Sequence, residues 1–418
     1  MPTLIPRNAA LVVKQLVEHR PAIIIEGARQ VGKSTLAAQI AAPGSVIVNL
    51  DVEATRDAAR ADLEGFVAQA GSRQLVIDEV QRVPELTLAV KAAIDADRRP
   101  GRFILTGSSS LLRVRGTADS LAGRVARIDL YGLSEGERFG TVDDFAASAR
   151  TQATMLPEVR TDYDRGAYVE SIARGGFPEL TQLPESMRPR WLDEYARSIT
   201  GRDLAELRRE VSPARAIAVL RTLAGRQSAE LVKAKLAEET SVPPRTITGY
   251  LDLLHDVGLV ASVPPWTPNL SKREIGRTKT MVIDSALALR LSRMTPEQLH
   301  RLDYGEALGA FLEGFVTAEL LKQRTWTTTP FELFHYRDRT GTEVDLILEY
   351  DDGRVVGIEV KSSSSYSGRQ FTGLTTLRDQ LGDRFVAGIV LGTGSHGYRF
   401  SDRLYGAPIS SLWQFGHR

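Results

Sequence analysis

The sequence predicts a multidomain α/β chain, and three observations carry that prediction. Apolar runs at 22–25, 46–50, 75–77 and 103–105 alternate with amphipathic stretches, the rhythm of a parallel sheet wrapped by helices. Helix-like segments at 214–224, 228–238 and 243–257 precede two short apolar runs at 259–263 and 280–283, which together suggest a winged helix-turn-helix. A helix at 307–322 then leads into strand-like runs at 332–337, 343–350, 355–361 and 386–391, a further α/β unit. At roughly 100–200 residues per domain, 418 residues suit two to four domains. The changes of rhythm put the boundaries at 1–145 for the parallel-sheet domain, 146–211 for a linker and helical connector, 212–300 for the winged helix and 301–418 for the C-terminal unit.

Each element has a local reason. Residues 141–165 are polar and aperiodic and read as a connector. Residues 167–174 and 191–209 read as helices on either side of a Pro-rich loop. Ser228 is placed to cap the second helix of the winged-helix region, and Ile247, Leu251 and Leu254 share one face of the third.

Composition narrows the chemistry. Apolar residues are 42% and charged residues 25%, which suits packed domains and argues against extended disorder. The 53 Lys and Arg balance 52 Asp and Glu, so the chain is not uniformly basic, yet residues 201–300 carry a net +4 and residues from 301 on a net −2. With no cysteine, disulfides, thiolate-bound metals and cysteine nucleophiles are excluded. Six histidines without an HxxxH spacing make a histidine-built metal site improbable. No stretch reaches the ~20 apolar residues of a membrane span. The first residues lack the apolar core of a signal peptide. A cytoplasmic protein with no membrane partner is the expectation.

Gly27-Ala28-Arg29-Gln30-Val31-Gly32-Lys33-Ser34, followed by Thr35, fits G-x-x-x-x-G-K-[ST] between an apolar run and a helix-like stretch. Glycines let backbone N–H groups curl around phosphate oxygens, and the helix N-terminus adds positive potential. Lys33 is expected on the β and γ phosphates and the Ser34 hydroxyl on Mg²⁺. The run 75–77 ends in Asp78 and Glu79, assigned to the metal shell and to orienting the attacking water. After 103–105 comes Thr106, the candidate γ-phosphate sensor, with Ser108 the alternative. Arg124 is the candidate arginine for the γ-phosphate, in cis or from a neighbouring subunit, in competition with Arg113 and Arg115.

Towards the C-terminus, residues 342–350 alternate, with Glu343, Asp345 and Ile347 on one face. Glu359 and Lys361 share a face of the next run, and Asp351-Asp352-Gly353 lies between. A two-residue loop would send Glu359 to the side opposite Asp345. A three-residue loop with Gly353 left-handed pairs the two acids, so Asp345, Glu359 and Lys361 converge. Two carboxylates and a lysine are the parts of a Mg²⁺-dependent phosphodiesterase, with Asp345 and Glu359 on the metal and Lys361 supporting water. The set resembles the PD-(D/E)xK, restriction-endonuclease-like nucleases. Glu313 matches the extra helical acid of many members, and Gln370 a helical glutamine of some. Degenerate, non-cutting members of such folds stand as the alternative.

Between these sites, Gly175-Gly176-Phe177-Pro178-Glu179 reads locally as a helix stop. The basic residues Lys272, Arg273, Arg277 and Lys279 of the wing, with Arg245 opening the third helix, suit phosphate contacts to DNA. A winged helix that serves as a protein–protein module is the alternative.

Taken together, GARQVGKST, LVIDEVQRVP, ILTGSSS, SLAGR, YGLSEGE, GGFPEL, IDSALA and YRDRTGTEVD…IEVKSS resemble a prokaryotic family of AAA-superfamily P-loop ATPases, akin to STAND-type and archaeal ATPases, fused to a C-terminal domain of unknown function. The resemblance covers nearly the whole chain. It implies an ATPase with ATP and Mg²⁺ as cofactors and adenine-side contacts from Gly176 and Pro178. The partners expected from the residues and the resemblance together are ATP, DNA and a homo-oligomer formed through the ATPase domain. A signalling switch with an inactive nuclease-like domain is the rival reading.

Overall fold

The computed structural model describes residues 4–107, 123–208, 211–268 and 276–416. They fall into two compact units, one within 1–133 together with 256–258, the other within 134–255 and 259–418.

In the first unit β1 (Ala22–Glu26), β2 (Val46–Asn49), β3 (Leu75–Asp78), β4 (Phe103–Gly107) and β5 (Val125–Asp129) form a parallel sheet in the order β2-β3-β4-β1-β5. The central strands β1, β3 and β4 are buried along their whole length, which is why they read as unbroken apolar runs. Edge strand β5 exposes Arg127 and Asp129 and has no such run, so periodicity gives it no signal. Register aligns Ile24 and Ile77 with Leu105. Leu86, Val90 and Ile94 of helix Leu86–Ala96 pack into the same core. Burial of each such side chain contributes ~1.5–3 kcal/mol. The carboxyl ends of β1, β3 and β4 are thereby held side by side.

The described residues of the second unit form two sheets. β6 (Ala229–Glu230), β7 (Val260–Val263) and β8 (Lys279–Val282) are antiparallel, in the order β6-β8-β7. Helices Pro213–Ala224, Lys233–Thr240 and Pro244–Asp256 accompany them. The expected cap at Ser228 is corrected. Ser228 takes a left-handed φ of 59°, residues 229–230 join the sheet instead, and the helix starts only at Lys233. The single helix expected over 191–209 is also broken, into Arg188–Ser198, a wide π turn Ile199–Asp203 and Leu204–Leu207. Within the expected connector, Phe145–Gln152 is a helix capped by Asp144, with Phe145, Ala146 and Ala149 buried.

β9 (Phe331–Arg337), β10 (Glu343–Tyr350), β11 (Val355–Val360), β12 (Phe385–Gly392), β13 (Tyr398–Ser401) and β14 (Leu404–Pro408) form a mixed sheet in the order β13-β14-β12-β11-β10-β9. Leu374 and Leu377 of helix Thr372–Leu381 pack on Val344, Ile347, Phe385 and Val390. The β10–β11 hairpin pairs Leu346 with Ile358 and Glu349 with Val355. Its turn is the three-residue one, closed by Gly353 N–H to Tyr350 O at 2.8 Å, with Gly353 at φ 75°. The described part of the segment after β7 is not a free wing. Trp266 N–H donates to His335 O on β9 at 2.6 Å, and the indole packs in the core with Tyr336.

Candidate functional site

The phosphate-loop motif leaves the carboxyl end of β1 and opens helix Lys33–Ile40. Its path needs Gly27 at φ 151° and Gly32 at φ 98°, and Gln30 is left-handed as well. A Cβ on Gly27 would stand 2.0 Å from Leu130 O. Lys33 Nζ donates to Ala28 O at 2.9 Å and closes the loop on itself. Ser34 and Thr35 face outward, and Val31 is buried. Arg7, which the motif does not include, grips the loop from outside. Its guanidinium donates to Val31 O and to Tyr131 O, each at 2.7 Å.

Asp78, at the end of β3, is the hub opposite the loop. Its Oδ1 accepts from Ser34 Oγ at 2.8 Å and from Thr106 Oγ1 at 2.5 Å. Thr106 Oγ1 in turn accepts from Glu79 N–H at 3.1 Å. Glu79 sits at φ 57° and ψ 46°, a costly conformation for a residue with a side chain, and its carboxylate accepts from Gln81 Nε2. Three strand ends therefore present Lys33, Ser34, Asp78, Glu79 and Thr106 together. Sequence reasoning missed Arg7, which lies in no motif, and Gln81, which lies within the LVIDEVQRVP stretch but was given no role there. These residues suit a Mg²⁺-bound nucleotide: a hydroxyl beside a carboxylate to hold the metal, an ammonium poised within the loop, and backbone N–H groups turned around it.

Arg124 is not brought to this site. Register places Val125 beside Ala22, so Arg124 stands at the amino end of the sheet, opposite the end where the loop emerges. It makes a two-pronged ion pair with Asp95, at 2.7 and 3.0 Å. The cis reading is corrected on that ground. Ser108, Arg113 and Arg115 lie outside the described residues, as do Lys272 and Arg273.

In the second unit, Gly175 ends helix Arg165–Arg174 at φ 66°, and Pro178 opens a short 3₁₀ turn, as the helix-stop reading expects. Gly176 N–H donates to Asp284 Oδ2 at 2.7 Å, and the other oxygen of Asp284 caps helix Ser285–Leu291. Arg138 binds the carbonyl of Gly175 and pairs with Glu135 at 3.3 Å. The YGLSEGE, GGFPEL and IDSALA stretches thus interlock.

The C-terminal acids converge. A bulge in β10 after Val344 re-aims the strand at this point. Asp345 Oδ2 accepts from Val360 N–H at 2.8 Å and lies 3.4 Å from Lys361 Nζ, which donates to Glu359 Oε2 at 2.6 Å. A pocket of about 430 Å³ opens over them, lined also by Glu343, Arg369 and Gln370. Gln370 belongs to a 3₁₀ turn, where it caps Ser367 and donates to Ser363 Oγ at 2.8 Å.

Lys279, expected in the wing as a DNA contact, is buried in this cluster instead. Its Nζ lies 2.7 Å from Glu313 Oε1, 3.3 Å from Glu343 Oε1 and 3.6 Å from Asp345 Oδ1. Burial, and then the charge of Asp345, pushes Glu313 and Glu359 each up to about 8. Burial alone would raise Asp345 as well, but the ammonium groups of Lys361 and Lys279 hold it below its ordinary value. Among the described residues no group of three or more histidines and carboxylates is arranged to hold a metal ion. The donor set does not suit Mg²⁺, which takes near-octahedral oxygens at about 2.0–2.1 Å. Here Asp345 already meets a lysine at each oxygen.

Three family matches divide the chain. Residues 19–139 match the family described as "AAA domain", 165–298 a "Domain of unknown function (DUF8612)" and 308–412 a "Domain of unknown function (DUF4143)". An uncharacterized protein of Mycobacterium tuberculosis is 29% identical over 414 residues, covering 98% of this chain and 85% of the relative, and one of Mycobacterium bovis matches equally. Among solved structures, a Walker-type ATPase of Pyrococcus abyssi is 18% identical, covers 69% of this chain and 96% of its own, and has a TM-score of 0.43. The ORC2 protein of Aeropyrum pernix is 14% identical over 71% of this chain and 96% of its own, at a TM-score of 0.35. The RuvB Holliday junction branch migration motor of Thermotoga maritima is 20% identical over 65% and 88%, at 0.25. Over residues 19–139, then, the chain is similar to the AAA domain family, and the G-x-x-x-x-G-K-[ST] loop falls within that stretch.

Proposed function

We propose that the protein is a Mg²⁺-dependent ATPase whose nucleotide state governs engagement of nucleic acid by its second unit. The observation that carries this reading is the Ser34–Asp78 hydrogen bond, which sets the loop hydroxyl against the carboxylate at the end of β3. Backbone N–H groups from Gly27 to Thr35 wrap the phosphates, and Lys33 turns from Ala28 O to the β and γ oxygens. Ser34 and Asp78 hold Mg²⁺, which when bound neutralises phosphate charge. Glu79 orients the attacking water while Thr106 fixes its backbone. Arg124 acts on a neighbouring subunit's site. Gly176 and Pro178 serve the adenine side, a role resting on the family resemblance.

For the second unit the reading is a winged helix on nucleic-acid phosphates. Arg245, Thr246 and Thr248 are exposed at the start of helix Pro244–Asp256, and Lys233 and Lys235 are exposed on the helix before it. The nuclease-like domain has two readings, a cutting one that uses Asp345, Glu359 and Lys361 and a binding one without cleavage. The buried Lys279 in the acidic cluster favours the second, as in an ATP-controlled switch.

The test measures ATP turnover, DNA binding and DNA cleavage on one preparation with Mg²⁺. Turnover that disappears in Lys33→Ala, nucleotide-dependent DNA binding and no cut products are expected. Wild-type turnover in Lys33→Ala removes the ATPase reading. Cleavage abolished by Glu359→Gln removes the binding-only reading.

A further inference from the structure

We infer that Lys279 is a built-in cation that occupies the place of a metal in the C-terminal acidic cluster, so that this domain is closed to divalent ions. The inference rests on the reading of this domain as nuclease-like in fold. Three carboxylates, from Glu343, Asp345 and Glu359, line one pocket, and a fourth, from Glu313, lies behind that lining, joined to the cluster through Lys279 Nζ. Such a group held together without cations would repel itself, and a metal is one way to hold it. Here two ammonium groups do so from opposite sides. Lys361 comes from the end of β11 and reaches Glu359 and the Oδ2 of Asp345. Lys279 comes from β8, in a different sheet, and reaches the Oδ1 of Asp345 together with Glu313 and Glu343.

Lys279 Nζ hydrogen-bonds to Glu313 Oε1 at 2.7 Å, with the oxygens of Glu343 and Asp345 at ion-pair distance. An ammonium has three N–H donors, and three carboxylate oxygens lie within 3.6 Å of Lys279 Nζ. Lys279 is 5% exposed, so its charge is spent on these partners rather than on solvent. Its backbone is fixed on both sides by pairing with Glu230 and Val263. The strand cannot slide the side chain out of the cluster without breaking that sheet. The chemistry left to the pocket is recognition by hydrogen bonding, with Arg369 and Gln370 among its lining residues.

Removing a buried cation leaves its acids uncompensated, and they then recruit another cation. The test is titration of the full-length, nucleotide-free protein with Mn²⁺, followed by electron paramagnetic resonance. Wild type is expected to bind no ion at the cluster up to about millimolar Mn²⁺, the weak end of protein sites for hard cations. Lys279→Met is expected to bind one ion at least tenfold more tightly than wild type, and its thermal midpoint to rise with Mn²⁺. Both gains should vanish when Asp345→Asn is added. Lys279→Arg, which keeps the charge, should behave as wild type. If Lys279→Met does not fold, the Asp345→Asn change in the wild-type background decides. No change in Mn²⁺ binding upholds the inference. Loss of a wild-type Mn²⁺ site overturns it, as does a folded Lys279→Met that gains none. ATP turnover of the same samples reports on the P-loop by itself, so failure there is told apart from failure here.

Discussion

Replacing Thr106 by Val tests whether its hydroxyl organises the hydrolytic end of the nucleotide site. The side chain is fully buried, and Val matches its shape, so no cavity opens. What disappears is one oxygen with two duties. It donates to Asp78 Oδ1 at 2.5 Å and accepts from Glu79 N–H at 3.1 Å. An orphaned N–H costs roughly 1–3 kcal/mol when fully buried and less for the half-buried N–H of Glu79, and a lost bond to a carboxylate costs about 1.5–3 kcal/mol. Some of this relaxes, because Asp78 keeps Ser34 as a donor. Glu79 does not have that reserve, since its left-handed backbone is held at this N–H. If only ~1.4–2.7 kcal/mol of the loss appears in the transition state, turnover falls about 10–100-fold. Nucleotide binding should stay within about threefold, because the two bonds that Thr106 makes go to Asp78 and Glu79 rather than to the loop. Thr106→Ser, which restores the oxygen, should recover most of the rate. Single-turnover hydrolysis gives the rate, and fluorescent-nucleotide titration gives the affinity. Turnover within twofold of wild type in Thr106→Val would refute the argument.

Two further outcomes follow from buried groups. Burial and then the charge of Glu319 push Asp143 up to about 8, well above the ~3.9 of an unfolded aspartate. The folded state therefore keeps a proton that the unfolded state has lost, and stability falls as pH rises from about 4 to 8, by up to ~1.4 kcal/mol per pH unit for this one group. Asp143→Asn, which can still accept from Gln323, should gain on wild type steadily between pH 5 and 8 in urea unfolding, whereas parallel curves would rule out the assignment. In the first unit, Gly27→Ala meets both a positive φ and the carbonyl of Leu130 at 2.0 Å, so it should abolish nucleotide binding by equilibrium titration. Retained affinity would mean that the loop has another path.

Much of the fold and site is legible in the sequence because single elements encode it. The loop motif, the strand ending in Asp78 and Glu79, and the run before Thr106 are each local signals, and the parallel sheet brings their ends together. The parity of the 351–353 turn likewise settles which face Glu359 takes. Lys279 was not legible in the same way. Its own neighbourhood, basic and beside a turn, resembles a nucleic-acid wing, and only the pairing of β8 and the approach of the helix bearing Glu313 bring it to the acids. β5 and β13 were also hidden, being short edge strands that expose several residues, and β14, though buried inside the sheet, has its apolar run broken by Gly406 and Pro408. Arg124 fails for a topological reason, since proximity in sequence to β5 says nothing about which end of the sheet it occupies.

Arg7 bears on where this protein can be cut. The AAA match starts at residue 19, yet the guanidinium that steadies Val31 O and Tyr131 O belongs to a residue twelve positions earlier. A fragment trimmed to the matched region would keep every motif and lose the brace behind the loop. One buried and one half-buried carbonyl would then have to find water or shift the backbone. The stretch matched as an AAA domain accordingly lacks, by itself, a residue on which its loop leans.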